Sequence, residues 1–126
     1  MDIQKQIDYW QRGSEEDMAA ASTLLQKRHL RHTLFFAHLA IEKMLKAHVV
    51  RVTADIPPRI HDLLRLADLA RIALPDERRA FLARFQQYGL AGRYPGFEPP
   101  APSVGEAESV LREAQEVLAW LKNQLN

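Results

Sequence analysis

Three polar residues of one segment, Arg31, His38 and Glu42, are of the types that perform acid–base chemistry at a phosphodiester. At about 100° per residue they fall within about 40° of one another on a helix. Glu42 could orient the His38 ring across one turn, which leaves the second ring nitrogen to exchange a proton near pH 7. Arg31 could bind a phosphate, and the trio would then suit metal-independent cleavage of RNA by its own 2′-hydroxyl group. The alternative is that His38 fills an apolar stripe and Glu42 satisfies its ring, so the three remain candidates and no catalytic residue is assigned.

A second set of residues has the types that bind nucleotides or RNA. Arg59 and His61 flank the start of a predicted helix, where free backbone N–H groups favour a phosphate. Arg93 and Tyr94 lie in the stretch 89–102, which holds three Gly and four Pro. Loops of this length in small domains are usually functional or mobile. An arginine beside an aromatic ring can hold a phosphate by charge and a base by stacking.

Lys46 is the fifth candidate for contact with a nucleotide or RNA. It belongs to a basic edge of the central segment, and such an edge serves equally well as a solvated or interface surface. The other candidates also have structural interpretations, since His61 could pack against the central helix. Tyr94 and Phe97 could simply attach their loop to the rest of the protein.

Two pairs of residues have spacings seen among metal ligands, His29 with His32 and His38 with Glu42. Each pair supplies only two ligands, and no second pair stands in an obvious partner position. The chain has no cysteine, which excludes thiolate zinc sites, cysteine nucleophiles and disulfides. We therefore predict no metal and no cofactor.

The composition is that of an ordinary soluble globular protein. A chain of 126 residues with 47% hydrophobic and 26% charged residues can bury one core, which predicts a single domain over residues 1–126. A formal net charge of +1 gives no global argument for nucleic-acid binding, so any such argument must rest on a local patch. We find no apolar signal segment and no membrane span, and expect a cytoplasmic protein with no membrane partner.

Helical periodicity accounts for the elements that must position these residues. The pattern predicts a long helix over about 2–27, a short polar turn, and a central helix over about 29–52 that is apolar on most of its circumference. Two long helices with so short a turn form an antiparallel hairpin. Further helices are predicted over 61–73, from Pro75 to the glycine-rich stretch, and after the capping box Ser103-x-x-Glu106. No segment alternates with period two, so we predict an all-α, up-and-down bundle of about five helices.

Several short segments form a pattern that extends over nearly the whole chain. They are Tyr9-Trp10, Glu16-Asp17 with Ala20-Ala21 and Leu24-Leu25, FAHLAIEKMLKA at 36–47, PPRIHDL at 57–63, AGRYP at 91–95 and Trp120-Leu121. In this order they show a resemblance to the HEPN domain family. It implies a small helical bundle that is often homodimeric. It also implies a partner, because family members are frequently encoded beside a minimal nucleotidyltransferase in modules that behave like toxin–antitoxin pairs.

Several branches of that family are metal-independent endoribonucleases, with an Arg, four to six residues, then His motif late in the chain and assembled across the dimer. This chain has no histidine after His61, so it departs from the pattern, and the formally matching pair of Arg31 and His38 stands too early. We therefore predict a homodimeric nucleotide- or RNA-binding module that partners a nucleotidyltransferase. The alternatives are an endoribonuclease toxin that uses His38 with Arg31, or a site around Arg93, and a structural accessory subunit without a ligand.

Overall fold

The computed structural model describes residues 1–96 and 100–125, and within them it has helices and no strand. The helices are α1 (Ile3–Gln26), α2 (Leu30–Thr53), α3 (Leu63–Leu69), α4 (Asp76–Ala91) and α5 (Val104–Leu125). The predictions of an all-α bundle with about five helices and of an initial helical hairpin are confirmed. None of the helices in the two described ranges combines the length and the apolar character needed to cross a bilayer.

The hairpin of α1 and α2 is the largest packing unit of the bundle. The Asp2 side chain caps α1 by accepting the backbone N–H of Lys5 at 3.0 Å. The helix then runs through Gly13 without a break, because a glycine inside a helix costs only about 1 kcal/mol and packing against α2 outweighs that cost. Close approach is visible at Ser14, whose hydroxyl donates to the carbonyl oxygen of Ala40 at 2.5 Å. The small residue Ala40 therefore faces α1.

α2 is the central element, since within the described ranges it contacts each of the other four helices. Its predicted apolar stripe lies inside the bundle, with Leu34, Ile41, Leu45 and Val49 buried and His38 buried among them. Burial extends well beyond that stripe, because α1 covers one side of the helix while α4 and α5 cover others. A helix surrounded in this way must satisfy every polar group that it carries into the core.

α3 and α4 differ in length from the helices that periodicity predicts, and both differences affect the candidate site. α3 is shorter than predicted, because Asp62 caps its start by accepting the Arg65 N–H at 3.1 Å and the chain turns into a left-handed conformation at Arg71. α4 is longer than predicted and continues through Gly89 to Ala91. The residues from His61 to Asp62 and from Arg93 to Gly96 are therefore connections rather than helix.

Candidate functional site

Glu42 is the centre of a buried polar cluster on α2. Its side chain is almost inaccessible, with the residue 4% exposed. One carboxylate oxygen, Oε2, accepts from Lys46 Nζ at 3.2 Å and from His61 Nδ1 at 3.0 Å. The other oxygen, Oε1, accepts from Arg93 Nη2 at 3.2 Å and lies 3.8 Å from His38 Nδ1, too far for a hydrogen bond. We call these five residues the Glu42 cluster.

Three separate parts of the chain converge on this cluster. α2 supplies His38, Glu42 and Lys46 at successive turns, so that all three lie on one face. His61 arrives from the connection just before α3, after two prolines that cannot continue α2. Arg93 arrives from just beyond the end of α4. The Glu42 carboxylate thus joins the central helix to both connections.

The pKa of Glu42 lies below its ordinary value of 4.5. Burial is the largest single effect and would raise the pKa. The hydrogen bond from His61 and the positive charges of Lys46 and Arg93 together lower it by more. The group is therefore a carboxylate at neutral pH, and within the described part of the chain it accepts from two basic side chains, those of Lys46 and Arg93. The cluster accordingly carries excess positive charge even when both of its histidines are neutral.

His38 has the opposite character from a charged catalytic group. Burial lowers its pKa from 6.5 to about 4, and this effect, aided by Arg93 and His61, exceeds the raising effect of Glu42. The ring is therefore neutral at pH 7. Its Nδ1 is buried and has no hydrogen-bond partner among the described residues. Such a nitrogen is a weak base, which makes His38 a poor proton acceptor for catalysis.

His61 is the histidine of the cluster that a ligand can reach, since its side chain is 45% exposed. Its Nδ1 is engaged by the Glu42 carboxylate, which leaves Nε2 for a bound molecule. A carboxylate at one ring nitrogen fixes the orientation of the imidazole. His61 therefore has a defined position despite lying outside a helix.

A cleft of about 470 Å³ opens over the cluster between the start of α3 and the end of α4. It is lined by His38, Arg59, Ile60, His61, Asp62, Gln86, Gly89, Leu90, Arg93 and Tyr94. Four of the five residues predicted to contact a nucleotide or RNA, namely Arg59, His61, Arg93 and Tyr94, are thus brought together on one surface. The volume lies within the range of small-molecule sites in proteins. Here this surface is called the cleft.

Lys46, the fifth predicted contact, lies beneath the cleft instead. It is 6% exposed, donates to Glu42 and places its ammonium group 5.4 Å from the centre of the Trp10 ring. A lysine so enclosed does not touch a ligand in the cleft. Its role in this geometry is to hold the carboxylate charged and in position.

Arg31 does not join His38 and Glu42. It is exposed and lines a different cavity, beside Phe35 and Phe36. The reason is the rise of the helix, because eleven residues at 1.5 Å each separate Arg31 from Glu42 by about 16 Å along the axis. Arg31 and Glu42 therefore point in a similar direction from the helix axis but are too far apart along it to act together. Arg93, from just beyond α4, takes the place beside Glu42 that the sequence pattern gave to Arg31.

Two glycines allow the end of α4 to approach α2 closely enough to place Arg93. A Cβ atom at Gly89 would lie 2.5 Å from Cε1 of His38, and one at Gly92 would collide with the Phe35 ring. Arg93 itself lies over Phe35, with 5.2 Å between the guanidinium carbon and the ring centre. The sequence pattern alone gave these glycines no role, although glycine inside a helical pattern is a known signal of close packing.

Gln86 is a further residue of the cleft that sequence reasoning missed. Its side-chain oxygen accepts the backbone N–H of Leu63 at 2.8 Å, which ties the first turn of α3 to α4. This contact fixes one wall of the cleft relative to the other. A lone glutamine on a predicted helix carries no pattern that would single it out.

The pairs with metal-ligand spacing do not assemble into a larger group. His29 and His32 are exposed, with ring centres 6.2 Å apart. In residues 1–96 and 100–125 no three His, Asp or Glu side chains are grouped to hold a metal ion. Phe97, considered above as an anchor for its loop, lies outside the described residues.

Within the described residues the protein is a bundle of five helices around the Glu42 cluster. Comparison with known families then identifies its family. The HEPN domain family matches residues 7–124. The chain therefore belongs to the HEPN family, as its sequence motifs indicated. A comparison with curated proteins gives no match.

The fold is also similar to that of a solved structure, TT1696 from Thermus thermophilus. The TM-score is 0.78 at 24% sequence identity, and the similarity covers 94% of this chain and 97% of that one. The agreement supports the arrangement of the helices around α2 over almost the full length of both proteins.

Proposed function

We propose that this HEPN-domain protein is a nucleotide- or RNA-binding module whose cleft holds a phosphate group of the ligand. The observation that carries the proposal is the excess of positive charge at the Glu42 cluster, directly beneath an open cleft. Charge that is held in a partly desolvated site attracts an anion more strongly than charge on an open surface. A phosphate also accepts charge-assisted hydrogen bonds, which are the stronger kind.

Four residues of the cleft have a part in this proposal. Arg93 is fixed by Glu42, by Phe35 and by a hydrogen bond of 3.4 Å to the carbonyl oxygen of Gly89, so little side-chain entropy is lost when it binds. His61 as an imidazolium donates from Nε2 to a phosphate oxygen while Nδ1 donates to Glu42, and the exposed Arg59 adds a cation at the rim. Tyr94 is half exposed and supplies an aromatic face on which a base or ribose can rest.

The binding experiment is a calorimetric titration with ATP and with a four-nucleotide RNA. We expect salt-sensitive binding of both, weakened about tenfold by Arg59→Ala, because that arginine contacts the cleft without pairing with Glu42. Arg84→Ala is the matched control, since it removes an equal charge from α4 at a position that faces Glu113. Equal effects of the two variants would contradict a specific site. Absence of any binding would favour the structural accessory subunit.

The homodimer and the partnership with a minimal nucleotidyltransferase are further parts of the proposal, and the family resemblance supports both. In a toxin–antitoxin-like module the nucleotidyltransferase is the expected partner of this chain. Light scattering at micromolar concentration should give twice the mass of the chain, and a strictly monomeric result would refute the homodimer. Co-expression with an adjacent nucleotidyltransferase gene should give a complex that survives gel filtration, whereas separate elution would refute the partnership.

A metal-independent endoribonuclease is the second candidate function, and the geometry of His61 favours it. Its ring is oriented by a carboxylate and lies beside an arginine, which are groups that RNA cleavage by the 2′-hydroxyl requires. Labelled RNA incubated with the protein in EDTA distinguishes the candidates. A pure binding module leaves the RNA intact. Cleavage that is lost in His61→Gln, with the fold retained, would establish the nuclease.

A further inference from the structure

A second cavity lies next to the cleft, on the other side of the end of α4. Its volume is about 330 Å³. Three aromatic side chains, Phe35, Phe36 and Tyr88, form much of its lining, and the exposed Arg31 and His32 also line it. We call it the aromatic pocket.

The aromatic pocket and the cleft share a wall. Tyr88, Ala91 and Gly92 line the pocket, whereas Gly89, Leu90, Arg93 and Tyr94 line the cleft, so the last turn of α4 separates the two. The Phe35 ring lines the pocket and also lies under the guanidinium group of Arg93, with 5.2 Å between the guanidinium carbon and the ring centre. One molecule that extends past the end of α4 would therefore meet both cavities.

The shape of the pocket suits a flat aromatic group. The Phe35 and Phe36 rings are nearly perpendicular, at 86° with 5.9 Å between their centres, and form a corner of two ring surfaces. Tyr88, on α4, is half buried beside them. A planar ligand can stack on one such ring and meet the edge of another, which is the preferred geometry for aromatic groups.

The charges at the pocket indicate what is attached to that flat group. Arg31 is a permanent cation at the pocket, and the excess positive charge of the Glu42 cluster lies across Phe35. A ligand that places a ring between two positive regions and carries anions on both sides matches a nucleic-acid strand. A partner protein with an apolar side chain would fill the pocket but would leave the cations at either side without a counterpart.

We propose that the aromatic pocket is a base-binding subsite, so that the ligand of the cleft is a single-stranded oligonucleotide that passes over the end of α4. This inference rests on the proposed function, since it takes the cleft to be the phosphate site. Arg31, one of the residues first considered for catalysis, becomes a contact for a neighbouring phosphate. Stacking on Phe36 and Tyr88 is tolerant of base identity, which predicts little sequence preference at this position.

The test compares a ligand that has bases with one that has none. A four-nucleotide RNA with 2-aminopurine at each position in turn reports stacking by a loss of fluorescence, and pyrophosphate probes the cleft alone. Phe36→Leu keeps an apolar side chain but removes the ring. It should weaken binding of the RNA about fivefold to a hundredfold, as expected for the loss of one stacked base. It should also abolish the quenching at one position and leave pyrophosphate binding unchanged.

Two controls separate the subsite from the cleft and from general effects. Tyr9→Leu also replaces an aromatic ring by leucine, at an exposed position on α1, and should not change the binding of either ligand. Arg59→Ala should weaken the binding of both ligands.

The Arg31 contact has a test of its own. Arg31→Ala should reduce the slope of the logarithm of the RNA-binding constant against the logarithm of the salt concentration by about 0.7, the value for one phosphate of a single strand.

Each result decides the proposal. RNA binding that falls with Arg59→Ala but not with Phe36→Leu, or 2-aminopurine that is never quenched, would refute the subsite and leave the proposed function standing. An equal loss of RNA and pyrophosphate binding in Phe36→Leu would show a general structural effect and would also refute the subsite. Failure of the unaltered protein to bind either ligand would refute the proposed function, and the subsite with it.

Discussion

Two buried histidines of the central helix, His38 and His48, differ in a way that separates scaffold from site. His48 is fully buried, and its Nε2 lies 2.8 Å from the carbonyl oxygen of Leu121, which ties α2 to α5. His38 is also buried, where α2 packs against α4, but its Nδ1 lies 3.8 Å from Oε1 of Glu42 and its side chain lines an open cleft. The same residue type on the same helix thus stabilises the bundle at one end and forms the base of a cleft at the other.

The surroundings of the two histidines explain the difference. His48 makes one hydrogen bond, to a neutral carbonyl oxygen, and its Nδ1, like that of His38, has no partner among the described residues. Near His38 lies Glu42, which in turn pairs with Lys46, His61 and Arg93, a set of charged and polar groups that a simple core would exclude. Buried charge of this kind costs free energy to desolvate. The proposed binding of an anion would explain why these buried charges lie beneath a cleft.

The largest expected effect tests the cluster through its centre. Glu42→Gln removes the carboxylate and leaves Lys46 as a buried cation without its ion-pair partner. Loss of one member of a buried pair typically costs about 3 to 5 kcal/mol in the free energy of unfolding, measurable by urea denaturation. Glu113→Gln, which removes an exposed ion pair of 4.0 Å to Arg84, should cost less than about 1 kcal/mol.

A double variant gives that prediction a sharper form. Adding Lys46→Met to Glu42→Gln removes the unpaired buried charge, and should recover part of the lost stability. A loss below about 1 kcal/mol in Glu42→Gln alone would contradict the description of the cluster as a buried ionic centre.

The pH dependence of stability tests both histidines together. Burial lowers the pKa of His38 from 6.5 to about 4 and also lowers that of His48. The unfolded chain therefore takes up these protons first as the pH falls. The neutral His38 ring therefore contributes its full stabilisation above pH 6.5. As the pH falls from 6.5 to about 4, the free energy of unfolding decreases by about 3 kcal/mol because of this group. Below pH 4.5 the lowered pKa of Glu42 adds a further loss.

Variants assign this pH dependence to its sources. His38→Gln should make the unfolding free energy flatter between pH 6.5 and 4, His48→Gln should do so as well, and the double variant should be the flattest. Urea denaturation at half-unit steps of pH provides the measurement. An unchanged slope in His38→Gln would show that its ring is not held neutral by burial.

Gly89→Ala tests the close contact between α4 and α2 at His38. Its Cβ would lie 2.5 to 2.7 Å from three atoms of the His38 ring, and overpacking of this kind costs about 1 to 3 kcal/mol. Gly105→Ala, in the first turn of α5, is the matched control, because its Cβ would enter open space, so the substitution should not destabilise the protein. Equal effects of the two substitutions in thermal unfolding would contradict the contact.

The smallest effect is expected at the other end of α2. His48→Leu loses one neutral hydrogen bond to the Leu121 carbonyl oxygen, which is worth about 1 kcal/mol. Because this region has no part in the cleft, RNA binding should keep its full affinity once the variant is folded. A tenfold loss of RNA affinity in His48→Leu would mean that the division between scaffold and site is misplaced.

The sequence was sufficient for the fold because helical periodicity records burial directly. The stripe from Leu34 to Val52 identified α2 as the central element, and Ser103 has the capping role predicted for it. Four of the five binding candidates lie together on the cleft because they belong to the two connections, before α3 and after α4, that border it.

The sequence was not sufficient for the geometry of the cluster. A helical wheel gives angle and omits rise, so it placed Arg31 with Glu42 although about 16 Å of helix separate them. The contact of Glu42 with Arg93 joins residues that are far apart in the chain and depends on how α4 crosses α2. The burial of Lys46 depends in turn on Trp10 of α1. Such contacts follow from tertiary packing, which a single helix pattern does not contain.

The most direct measurement follows the histidine ring signals by NMR while the four-nucleotide RNA is added. We predict that the His61 ring signals move with saturable dependence on RNA concentration, because Nε2 faces the bound phosphate. The His48 signals should stay in place, and Arg59→Ala should shift the saturation of His61 to higher RNA concentration. Unmoved His61 signals at an RNA concentration where calorimetry shows binding would contradict the cleft as the phosphate site.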